Sequence, residues 1–285
     1  MNGWLEAWQH LPSKIDPVLF RWGGFEIRYY GLCFFLSILT VYLLSIRRQA
    51  RESCAFTRLQ IENYFVWVVL GVLLGGRVGY VLFYDLEYFL REPWAIFLPF
   101  SAEGGLRYTG ISGMSFHGGL CGAFLATWLY SWRQKIPAMR FVDFITASVP
   151  FGYLFGRLGN FLNGELYGRS TGVPWGMFFP SDPEGLLRHP SQLYEALGEG
   201  VLLFLLLWPL RRRIPFDGFL FGLYLIGYGA VRFGIEFFRE PDVQVGLFFG
   251  WMSMGQILCL AMIAAGILVW VIFGGVLRKP SSRER

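Results

Sequence analysis

The sequence predicts an all-α integral membrane protein of seven transmembrane helices, with the N-terminus outside, the C-terminus cytoplasmic and a small external head formed by loops. Three observations carry this expectation: too little charge for a water-facing surface, apolar stretches of membrane-spanning length, and basic residues concentrated in alternate loops. Of 285 residues, 54% are hydrophobic and 16% charged, with a mean hydropathy of +0.45. An ordinary soluble domain carries about 25% charged residues. The aromatic share of 19% suits side chains anchored at membrane interfaces, and the 36 glycines suit close helix contact in lipid.

A helix needs roughly 20 apolar residues to cross the hydrocarbon core. Stretches of that kind fall at 29–46, 62–84, 113–132, 141–162, 191–210, 217–238 and 251–273. Backbone in hydrocarbon must satisfy its own hydrogen bonds, so these are predicted as helices. Fourteen of the 25 Lys and Arg residues lie in one set of loops, at 47–58, 133–140, 211–213 and 278–285. Cytoplasmic loops attract such an excess, which sets the orientation. The loops at 85–112 and 163–190 are then external and long enough to form the head. The first 28 residues lack the apolar core of a signal peptide, so the first span is expected to be retained. With no linker or low-complexity segment, residues 1–285 read as one polytopic domain. The tail RKPSSRER is a solvated basic end suited to anionic lipid. The net charge of +5 sits in short loops beside apolar runs and does not point to nucleic acid.

Most polar residues within the predicted spans fall in the external half. Tyr30 opens the first span, Arg77 lies late in the second and His117 opens the third. Arg157 and Asn160 lie late in the fourth, with Asn163 and Glu165 just beyond. His189, Gln192 and Glu195 begin the fifth, and Arg232, Glu236 and Arg239 close the sixth. An ionisable group at a bilayer centre costs about 2.5–3.5 kcal/mol on insertion scales, so such residues mark function. The densest cluster is GRLGNFLNGELYG, residues 156–168. Two arginines in a cavity facing the external leaflet suit the phosphate of an anionic phospholipid, with Asn160 and Asn163 adding neutral hydrogen bonds. His117 is the natural proton acceptor near neutral pH.

Structural readings stand beside these. Arg157 ties to Glu165 or to backbone carbonyls; Arg232 pairs with Glu236 at i, i+4; Arg77 pairs or snorkels; His117 packs; Glu195 and Glu199 only line one helix face. A protein that binds or moves anionic phospholipid without covalent chemistry would share the same cavity. Other chemistries are excluded. With three histidines and no HExxH there is no zinc-protease site, and GRLGN lacks the GK[ST] of a P-loop. Cys33, Cys54, Cys121 and Cys259 form no CxxC pair. GISG at 110–113 resembles the serine motif of rhomboid-type intramembrane proteases, but His117 follows Ser112 by five residues, whereas that family takes its His from a later helix.

GRLGNFLNGELYG, with RYYGL, GGRVGY, GMSFHGGL, RHPSQLYE, LIGYGAVRFGIEFFREPD and SMGQIL in order from Tyr29 to Leu258, resembles the prolipoprotein diacylglyceryl transferase family. The resemblance implies a multi-pass enzyme of the bacterial cytoplasmic (inner) membrane, with seven helices, an external N-terminus and a site toward the outer leaflet. Its substrates would be phosphatidylglycerol and the lipobox cysteine of a prolipoprotein signal peptide, with no metal or dissociable cofactor. It implies catalytic roles for His117, Arg157, Arg232, Glu165 and Tyr30. It implies substrate-binding roles for Arg157, Asn160, Gly168, Tyr228 and Glu236, to which the residue-level reading adds Asn163 and Arg77. Ser112 stands where many members have Gly, and the stretch from Gly168 to His189 is short, which bears on peptide docking.

Overall fold

A computed structural model describes residues 3–23, 25–52, 55–96, 100–101, 107–108, 113–240, 247–248 and 252–276. Ser112 and Cys54 lie outside them. The chain is mostly helical and divides into two compact units, Met1–Arg47 with Val142–Arg285, and Arg48–Phe141.

The first unit opens with α1 (Gly3–Gln9), a β1–β2 ribbon (Val18–Trp22, Phe25–Arg28) and α2 (Tyr29–Arg51, whose last turn belongs to the second unit). The second unit holds α3 (Arg58–Tyr84), α4 (Leu86–Arg91), a short β3–β4 ribbon (Phe100–Ser101, Arg107–Tyr108) and α5 (Phe116–Gln134). The chain continues through α6 (Ala138–Thr146), α7 (Val149–Leu162), a β5–β6 ribbon (Met177–Phe178, Leu187–Arg188) and α8 (Ser191–Glu195). A π-helical turn, Ala196–Leu202, joins α8 to α9 (Leu203–Leu210). Then follow α10 (Phe219–Ile235), a β7–β8 ribbon (Leu247–Phe248, Met252–Ser253) and α11 (Met254–Val276).

Among the described residues, four helical segments are long and apolar enough to cross a membrane: Tyr29–Arg51, Arg58–Tyr84, Ser191–Leu210 and Met254–Gly275. Phe219–Ile235 is a shorter apolar helix. The stretch expected as one helix over 141–162 is broken into α6 and α7. Pro150, which lacks an N–H, sits in the first turn of α7, where that donor has no helical partner to lose.

In the second unit, Thr57-x-x-Gln60 forms a capping box that starts α3. The Gln60 amide donates to the Thr57 hydroxyl at 3.2 Å, and the Thr57 amide donates to Gln60 Oε1 at 2.8 Å. Helices α3 and α5 meet along glycines. A Cβ placed on Gly71 would lie 2.6 Å from the Gly122 carbonyl oxygen, and one on Gly75 would lie 2.8 Å from Gly122 Cα. Only glycine permits that backbone approach. Arg77 is buried here. It donates to the carbonyls of Ile96 (2.6 Å), Ala95 (2.6 Å) and Gly113 (3.2 Å) and stacks over Phe89 at 4.9 Å.

In the first unit, Asp143 of α6 caps α10 from outside that helix. Its carboxylate accepts from the amides of Gly218 and Phe221, each at 2.8 Å, at the positive end of the α10 dipole. Ser253-x-x-Gln256 repeats the capping-box logic at the start of α11, with bonds of 3.0 and 3.1 Å. Residues 163–190 pack on Phe161, Met177 and Phe179, joined by Trp8, Ile15 and Tyr167. Arg188 clamps Asp182 with two bonds, 2.8 and 2.9 Å, and reaches Glu240 at 3.1 Å. This pairing holds the Asp182 carboxyl below the usual carboxylate range.

Candidate active site

The site grows from α7. Arg157 faces inward from that helix, and its Nε donates to the Tyr153 hydroxyl at 2.5 Å and pairs with Glu195 Oε2 at 2.8 Å. Arg232 of α10 meets the same Glu195 oxygen at 2.5 Å, Glu236 at 3.1 Å and Glu199 at 3.7 Å. Arg239, just after α10, reaches the other Glu195 oxygen at 3.2 Å. Three guanidinium groups thus converge on one carboxylate whose side chain is fully buried. Tyr228 joins through its hydroxyl, 3.2 Å from that of Tyr153. Ser253 donates to Glu236 at 3.2 Å. The side chains of Arg157 and Arg232 keep 16% and 13% of their surface exposed, so the cluster is open on one side.

A second branch runs through the loop after α7. Arg157 Nη1 donates to Asn160 Oδ1 at 3.3 Å, Asn160 Nδ2 to Glu165 Oε1 at 2.8 Å, and Asn163 Nδ2 to Glu165 Oε2 at 2.9 Å. The loop turns tightly because Gly164 and Leu166 both have positive φ, 68° and 59°. For leucine that conformation is strained, and such strain concentrates at functional sites. Two part-buried bonds hold it: Gln192 Nε2 to the Glu165 carbonyl (2.7 Å) and Ser191 Oγ to the Leu166 carbonyl (3.0 Å). Gly168 donates its amide to the His189 carbonyl at 2.8 Å, and a Cβ there would press on His189 and on the Phe238 carbonyl. Tyr30, at the start of α2, lies within electrostatic range of Glu165 and Arg157, and close to Gly159.

The sequence expectations are altered in four places. Arg157 and Arg232 are not free to grip an anion unopposed, because Glu195 already occupies the point between them. Of the structural readings, the Arg232–Glu236 pair is present, and Arg157 reaches Glu165 only through Asn160. Asn160 and Asn163 aim their donors at Glu165, so both orient a carboxylate. Arg77 donates to three backbone carbonyls and braces its own unit, so its head group is buried and does not snorkel outward. His117 is exposed in the first turn of α5, with its ring edge-on to Phe116, and belongs, with Arg77, to the other unit. The residues the sequence reading undervalued are Glu195, Glu199 and Arg239. The signal was present: two carboxylates four apart at the head of an otherwise apolar span.

Helices of this length and apolarity around a buried ionic network define a multi-pass membrane protein with a polar centre among its helices. A sequence model described as prolipoprotein diacylglyceryl transferase matches residues 17–272. The chain is 51% identical over 266 residues to the phosphatidylglycerol–prolipoprotein diacylglyceryl transferase of Chlorobaculum tepidum, covering 92% of each chain. It is 43% identical to the enzyme of that name from Wolinella succinogenes, covering 92% of this chain and 95% of that one. The corresponding figures for Campylobacter lari are 40%, 93% and 96%. The chain belongs to the prolipoprotein diacylglyceryl transferase family.

Proposed function

We propose that this chain transfers the diacylglyceryl group of phosphatidylglycerol to the lipobox cysteine of a prolipoprotein signal peptide, at the outer leaflet of the bacterial cytoplasmic membrane. The reading includes a single domain of seven spans with an external N-terminus. The observation that carries it is the convergence of Arg157, Arg232 and Arg239 on one carboxylate position, with all four residues in motifs that carry the family resemblance. A phosphodiester oxygen pair resembles a carboxylate in size and charge and takes the same forked donors. The lipid phosphate enters on the exposed side of Arg157 and Arg232 and shares their donors with Glu195. The cysteine thiolate attacks the glyceryl carbon, a C–S bond forms, and the C–O bond breaks with its electron pair going to the phosphate. Glycerol phosphate leaves. Guanidinium donors at the developing charge are worth about 3–4 kcal/mol each. The thiol proton passes to His117 or, as second candidate, to Glu165.

A lipobox peptide incubated with phosphatidylglycerol and the purified protein should shift on a gel as it becomes lipidated. Arg157→Ala and Arg232→Lys should each remove the shift, by about a hundredfold or more in rate, while the protein still inserts. Full activity in either variant would remove that arginine from the reaction. His117→Gln with an unchanged pH profile would pass the proton-acceptor role to Glu165. Binding of the lipid with no lipidated peptide would favour a lipid-binding or lipid-moving protein.

A further inference from the structure

Glu199 is assigned no part in the reaction above, yet it lies in the same ionic network. It sits in the π-helical turn Ala196–Leu202, which follows Glu195 directly. Residues four apart lie on one side of the helix, and π turns recur at functional sites. The result is that both carboxylates approach one atom, Arg232 Nη1, Glu195 at 2.5 Å and Glu199 at 3.7 Å.

The three acids are unequally partnered. Glu195 holds three guanidinium groups at 3.2 Å or less. Glu236 holds Arg232 at 3.1 Å and the Ser253 hydroxyl at 3.2 Å. Glu199 is fully buried, its Arg232 contact is too long for a hydrogen bond, and its other polar neighbour on α7 is the neutral Tyr153 hydroxyl.

Arg157, Arg232 and Arg239 balance Glu195, Glu199 and Glu236 when all are ionised, and Glu165, linked to Arg157 through Asn160, adds one further negative charge. A bound phosphodiester adds one negative charge to a buried site, where uncompensated charge is costly. Arginine does not change its protonation. The groups facing Glu199 are Tyr153 and Arg157 from α7, Glu195 from α8, and Tyr224, Tyr228 and Arg232 from α10, with Glu236 beyond it and Cys259 from α11. Helix α9 carries no titratable residue. The phenols and the thiol are already neutral at working pH. Of the carboxylates, Glu199 gives up the weakest contacts on accepting a proton.

We propose that Glu199 takes up a proton when the lipid phosphate enters, so that the network gains no net negative charge and phosphate binding is proton-coupled. This rests on the reading that phosphatidylglycerol binds at the arginine cluster. The test is calorimetric titration of the full-length protein in detergent with phosphatidylglycerol, in two buffers of different ionisation heat. Wild type should take up about one proton per lipid, with affinity falling by up to about tenfold per unit rise in pH. Glu199→Gln should bind with no proton uptake and a flat pH dependence, and Glu199→Asp should restore uptake. Binding by wild type without proton uptake, or undiminished uptake in Glu199→Gln, would overturn the proposal. The wild-type measurement decides even where the Gln variant does not fold. No phosphatidylglycerol binding by wild type would instead overturn the functional reading beneath it.

Discussion

Replacing Glu195 by glutamine changes one charge and almost no volume, which makes it the sharpest probe of the arginine cluster. The carboxylate stands 2.8, 2.5 and 3.2 Å from Arg157, Arg232 and Arg239, with its side chain fully buried. Without its charge, three guanidinium groups face two acids, one of them at 3.7 Å. Removing one partner of a buried ion pair costs about 3–5 kcal/mol, because the remaining charge is left uncompensated. A chain of this size loses roughly 2 °C of Tm per kcal/mol, so the expected fall is about 6–10 °C. Transfer should fall by about a hundredfold, since arginines that repel one another no longer present donors at one point. Thermal unfolding in mild detergent reads the first effect and the peptide gel shift the second. A Tm within about 1 °C of wild type would show that Glu195 does not hold the cluster together, and the geometric argument would fail with it.

Two further substitutions test the frame around the site. Gly71→Ala should push α3 from α5, because its new methyl would lie 2.6 Å from the Gly122 carbonyl oxygen and 2.7 Å from Ala126 Cβ. The expected cost is about 1–3 kcal/mol, read as a lowered Tm, and an unchanged Tm would contradict that contact. Asp182→Asn tests the loop clamp through pH. The folded Asp182 pKa lies below the ordinary value of 3.8 through its Arg188 bonds. Its stabilisation is therefore present above that value and lost as pH falls through the lower folded pKa. The variant should be less stable than wild type at about pH 7, with the two unfolding curves converging as pH falls below the ordinary value of 3.8 and through the lower folded pKa. A gap that persists in acid would assign the effect to shape instead of charge.

Much of the architecture was legible because lipid leaves so few choices. Apolar length marks Tyr29–Arg51, Arg58–Tyr84 and Met254–Gly275 as helices, since no other backbone satisfies itself in hydrocarbon. Capping pairs such as Thr57 with Gln60 could be read from spacing alone. The positions of Arg157, Arg232 and Glu165 stood out for the same reason, as polar residues where polarity is costly. Their partners did not. Whether Arg157 meets Glu165, five residues from Asn160, or Glu195, 38 residues further along than Arg157, depends on how α7 packs against α8, and hydropathy carries no record of that. The π turn was equally hidden. Its sequence ALGEGVL has ordinary helical composition apart from two glycines. Gly200, whose Cβ would lie 3.0 Å from Leu154 Cβ, shows that close contact with α7 is part of its setting.

That wide turn has a consequence for how the chain tolerates change. It behaves as a single inserted residue within an otherwise regular rod. Deleting one residue between Ala196 and Leu202 would let the segment relax to α geometry. Because the wide turn already absorbs that residue, the rod beyond would keep its facing relative to Glu195 to within a small fraction of a turn. Leu207 would stay sealed against Ala147 and Leu220. The extra residue therefore serves the turn that carries Glu199, and the leucine-rich half of the rod keeps its fit with or without it.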